Sequence, residues 1–62
     1  GPLPVDQIEF SLERARLYLE GNCVEEALEE FKFASDYAYQ MQMDVLDEEI
    51  RREIDAVKEK AP

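Results

Sequence analysis

The side chains that could do chemistry in this chain are sixteen carboxylates and one thiol, and histidine is absent. Without an imidazole, no Ser-His or Cys-His couple can activate a nucleophile, and the most versatile metal-binding side chain is missing. Glu26 and Glu30 stand one helical turn apart, a carboxylate pair on one helix face. A di-metal bundle site would need inward-facing Glu-x-x-His motifs beside such a pair, and the sequence has none. Cys23 falls beside the start of a helix, where the dipole favours a thiolate; packed as a small apolar side chain it is inert, and the inert state is expected. The inventory predicts a non-enzymatic chain with no catalytic residue, metal site or cofactor.

Recognition is the chemistry left open. Leu3, Phe10 and Leu17 recur at seven-residue steps on the side of the first helix opposite its core stripe. Phe33 and Tyr37 sit one turn apart on the second helix, away from its main stripe, with Met41 at the margin. A helix apolar on two faces is either sandwiched or offers a patch to a partner, and aromatic and Met side chains carry interface energy. Phe10, Leu17, Phe33, Tyr37 and Met41 are therefore predicted to anchor an amphipathic or short linear peptide. Glu26 and Glu30 are predicted to select its basic flanks. A homodimer could bury the same stripe instead. The competing reading is that Phe10 only staples the helix start and that Leu17 and Phe33 are scattered surface apolar residues. The run Glu25, Glu26, Glu29, Glu30 also suits the positive N-terminus of its own helix. Arg51 and Arg52 have Asp47, Glu48 and Asp55 within one turn, so internal ion pairs are expected.

Charge narrows the partner. Sixteen acidic residues against seven basic ones leave −9 on 62 residues. Such a surface repels nucleic acid and anionic membranes and favours a basic or amphipathic protein partner. A chain this short buries about 60% of its unfolded surface. A core of roughly 3–5 kcal/mol can hold a helical bundle but leaves little room for an enclosed active-site cavity. One cysteine makes no internal disulfide, so a reducing, cytoplasmic setting is expected. No apolar run approaches the roughly 20 residues of a membrane span, and no signal peptide is read. Residues 1–3 are expected to be a tag remnant outside the fold, leaving 4–62 as one domain.

Three elements must position these side chains. The first helix is predicted at about residues 6–20, begun by an Asp6-x-x-Glu9 capping box, although Pro4 could itself begin it. Its core stripe is Val5, Ile8, Leu12, Ala15 and Leu19, with Tyr18 beside it. Gly21 suits a left-handed closing residue, and Asn22 with Glu25 forms a variant capping box for the second helix, about 23–42. That helix carries Val24, Ala27, Leu28, Phe31, Ala34, Ser35 and Ala38 inward. The third, about 45–60, has Asp44 as its expected cap and Lys58 and Lys60 in its last turn. Leu46, Ile50, Ile54, Val57 and Ala61 form its stripe, and Pro62 lies beyond its end. With no strand-like alternation, the predicted class is all-α, a small antiparallel three-helix bundle.

Two families share these features. The spacing of Ala15, Tyr18, Val24, Ala27, Phe31 and Ala34 resembles a tetratricopeptide repeat. The Gly21-Asn22 turn, followed by Glu26-Ala27-Leu28 and Phe31, resembles the MIT domain, a three-helix bundle. The resemblance covers about residues 11–38, with one residue more in the turn than either family usually has. Both families are peptide-binding scaffolds without catalytic activity, so either resemblance implies an adaptor that binds protein.

Overall fold

The computed structural model describes residues 3–61 and consists of three helices of 17 residues each. They are α1 (Pro4–Glu20), α2 (Val24–Gln40) and α3 (Asp44–Lys60). The expectations for Gly1, Pro2 and Pro62 lie outside the described residues. Leu3, by contrast, belongs to the helix start: its carbonyl accepts from the N–H groups of Asp6 and Gln7. Pro4 then occupies the first helical turn, where its missing N–H costs no bond and its fixed φ is already helical.

α2 is the central helix. α1 and α3 each pack against it, and the Cα trace measures 36 × 21 × 12 Å. The helices alternate in direction, so the bundle is antiparallel along the chain. α1 and α3 meet through side chains, with Arg16 bonded to Glu53 at 3.1 Å. Ile8, Leu12 and Ala15 of α1, Ala27, Phe31, Ala34 and Ala38 of α2, and Ile50 of α3 form the buried core. Ala15 and the α2 alanines, all without exposed surface, let the helices come close, while Phe31 fills the space between them. Leu19, Leu46, Ile54 and Val57 are half-buried against this core. Val5 and Tyr18 are more exposed than their place on the stripe predicts. Ser11, which was not on the predicted stripe, is fully buried, its hydroxyl accepting from Arg14 at 3.1 Å.

The two turns are built alike, and both differ from the predicted caps. Gly21 is not the left-handed residue: its φ is −84°, and Asn22 takes the left-handed position at φ 62°. The Cys23 N–H reaches back to the Tyr18 carbonyl and the Asn22 N–H to that of Leu19, the paired bonds of a Schellman motif. The second turn repeats this at Met41-Gln42-Met43, with Gln42 at φ 59°. There the Met43 and Gln42 N–H groups bond the carbonyls of Ala38 and Tyr39. Asn22 and Asp44 are therefore not N-caps; Cys23 and Met43 hold those positions, and neither cap is made by a side chain. Backbone bonding alone closes each helix, which is why a glycine-free second turn suffices.

α3 holds one charged residue in the interior. Asp47 is buried, where its carboxylate accepts from Ser35 of α2 and from Arg51 one turn along. Arg52 pairs with Glu48 at 3.8 Å, so both arginines are paired within their own helix, as the spacing predicted.

Candidate protein-interaction face

Opposite the helical faces that form the core, α1 and α2 leave apolar side chains in solvent. Phe10 is 55% exposed, Leu17 64% and Phe33 51%. Tyr37 is half-buried, packed against the core from its edge. Phe33 and Tyr37 stand one turn apart on α2 and meet with ring centroids 6.0 Å apart at 60°, a tilted aromatic pair. They line a shallow hollow with Gln7 of α1 and Asp36 and Gln40 of α2. Further along, Arg14, Leu17 and Tyr18 line a second hollow on α1.

The two helices are tied together between these hollows by an ion pair. Arg14 directs Nε and Nη2 at the two carboxylate oxygens of Glu30, both at 3.3 Å. Its Nη2 also bonds the buried Ser11 hydroxyl. The exposed apolar side chains of this face therefore have an ion pair among them. Glu30 is half-buried and already engaged, while Glu26, one turn earlier, is exposed. Met41 is exposed in the α2–α3 turn, one turn beyond Tyr37, and does not line the hollow with Phe33 and Tyr37. The structure thus brings Gln7, Phe33 and Tyr37 together, joins Glu30 to α1 and leaves Met41 at the margin.

The polar side chains of these hollows, Gln7, Arg14, Asp36 and Gln40, lie outside the pattern that apolar spacing marks. Tyr18 was counted with the core. The available signal was positional: Gln7, Phe10, Arg14 and Leu17 follow one another at three- and four-residue steps, so they share a stripe.

Elsewhere the chemistry is sparse. Cys23 is half-buried, its thiol donating to the Gly21 carbonyl at 3.6 Å. Among the described residues no group of three His, Cys, Asp or Glu side chains is placed to hold a metal ion. No described helix is long and apolar enough to cross a membrane. The Asp47 carboxyl is held below its ordinary range chiefly by the Ser35 hydroxyl, with burial opposing and Arg51 assisting. It lies in the α2–α3 interface, away from the α1–α2 face.

The chain matches no protein-family model, no curated protein and no solved structure.

Proposed function

We propose that this chain is a non-enzymatic protein-interaction module, an adaptor that binds an amphipathic or short linear peptide on its α1–α2 face. The observation that carries the reading is the exposure of Phe10 and Leu17 on α1 and of Phe33, paired with Tyr37, on α2, two helices whose inner faces are already filled. Large apolar side chains grouped on one face and rimmed by polar ones are typical of interaction sites. The net charge of −9 supports a basic partner over a second copy, because self-association would bring two acidic surfaces together. Glu26, exposed one turn from the Arg14–Glu30 pair, would meet a basic flank. The resemblance to tetratricopeptide and MIT scaffolds points the same way.

The test is an amide-shift titration with basic amphipathic peptides, paired with light scattering of the free protein. Shifts confined to Phe10, Leu17, Phe33, Tyr37 and their neighbours, on a monomer, are expected. A concentration-independent dimer that Phe33→Asp converts to monomer would assign the face to self-association instead.

A further inference from the structure

The outer side of α1 carries two columns with the same seven-residue period. Leu3, Phe10 and Leu17 form one; Asp6, Glu13 and Glu20, each three residues further on, form the other. All six side chains are exposed. An α-helix drifts only about 20° per seven residues, so both columns run nearly straight along the helix. Among the described residues, none of the three carboxylates belongs to an ion pair. The two arginines of α1 are turned elsewhere, Arg14 to Glu30 and Arg16 to Glu53. The ridge is therefore apolar, acidic and uncompensated.

We propose that this ridge is a seam for one helix of a partner protein, with a seven-residue repeat that sets an apolar column beside a column of Lys or Arg. The inference rests on the docking reading above and adds Asp6, Glu13 and Glu20 to Glu26 as the groups that select charge, since Glu30 is already held by Arg14. Period decides for a helix. Phe10 and Leu17 are separated by about 10.5 Å of helix rise, which a second α-helix matches at every seventh residue. An extended strand covers that distance in about three residues and cannot keep both columns in step. Charge decides against a second copy. Two α1 ridges laid together would place carboxylates of both chains in one seam, where paired helices use opposite charges to choose partners.

Three synthetic three-heptad helical peptides test this. One has leucine and lysine columns, the second replaces lysine with glutamate, and the third replaces leucine with serine. The lysine–leucine peptide is expected to shift the amides of Phe10, Glu13 and Leu17. At about 50 mM salt it should bind at least about tenfold tighter than the glutamate version, with the ratio shrinking at about 300 mM. Glu13→Lys with Glu20→Lys should reverse the preference, with the circular dichroism spectrum unchanged. Equal binding of the lysine and glutamate peptides would overturn the seam while leaving the docking face intact. Undiminished binding of the serine version would overturn it too, by exposing plain charge attraction. Shifts confined to Phe33 and Tyr37 would relocate the site to α2. No shift anywhere on α1 or α2 would overturn both readings.

Discussion

Ser35 on α2 donates a 2.5 Å hydrogen bond to the carboxylate of Asp47 on α3, and each residue is only 5% exposed. This contact fixes the register of α3 on α2. A carboxylate in the interior is tolerated only when its oxygens are satisfied. Ser35 and Arg51 both donate to its Oδ1, and its place near the N-terminus of α3 adds a favourable dipole.

Acid should therefore weaken this helix interface selectively. Because the Asp47 carboxyl is held below its ordinary range in the folded chain, the unfolded chain binds its proton more readily. The stabilisation is complete above the unfolded value, about pH 4, and is lost as pH falls through the native value. Asp47→Asn is predicted to lower stability at neutral pH, with the gap to wild type narrowing below about pH 4. Ser35→Ala, which removes the largest cause of the shift, should move the acid limb to higher pH. Urea titrations across that range read both effects; a gap that stays constant with pH would remove Asp47 from the account.

The two turns invite opposite substitutions. At Gly21, with φ −84°, an added Cβ would meet the Tyr18 carbonyl oxygen at 3.6 Å, an ordinary contact. Gly21→Ala is predicted to stabilise by about 0.4–1 kcal/mol, through the entropy of the unfolded chain. At Gln42 the left-handed backbone costs an L-residue roughly 1–2 kcal/mol, more than the roughly 0.5–1 kcal/mol that glycine loses in chain entropy. Gln42→Gly should gain about 0.5–1 kcal/mol by thermal or urea unfolding. Were Gly21→Ala the damaging change and Gln42→Gly neutral, the left-handed positions would be assigned to the wrong residues.

The helices and their inner stripes were readable because spacing alone identifies them: Ile8, Leu12, Phe31, Ala34 and Ile50 fall where a 3.6-residue period puts them. The caps were not. Asn22 looks like an N-cap because its side chain can accept a helix N–H, yet its tolerance of left-handed backbone serves the preceding helix instead. Nothing in Met41-Gln42-Met43 announces a turn, since the Schellman bonds use backbone groups that every such residue carries. Asp47 is a charged residue in a first turn, a place that normally faces water; its burial follows only once α3 lies antiparallel on α2 opposite Ser35. On the candidate face, the exposed Phe10, Leu17 and Phe33 were visible as residues off the core stripe. The Arg14–Glu30 pair was not, because its partners are sixteen residues apart and meet only through the hairpin.

Phe31 and Phe33, two residues apart on α2, are predicted to separate folding from the proposed recognition. Phe31 is 1% exposed at the centre of the core, whereas Phe33 is half in solvent. Truncating a buried phenylalanine costs about 3–5 kcal/mol, the order of the whole roughly 3–5 kcal/mol that a domain of this size commands. Phe31→Ala is therefore predicted to be largely unfolded at room temperature by circular dichroism. Phe33→Ser removes a half-exposed ring and its contact with Tyr37 and should lower stability by only about 1 kcal/mol, read from the urea midpoint. The same variant should abolish the amide shifts that a basic amphipathic peptide produces at Tyr37 and Gln7. A Phe33→Ser chain as unstable as Phe31→Ala would mean that Phe33 is part of the core, and the α1–α2 face would lose its principal anchor.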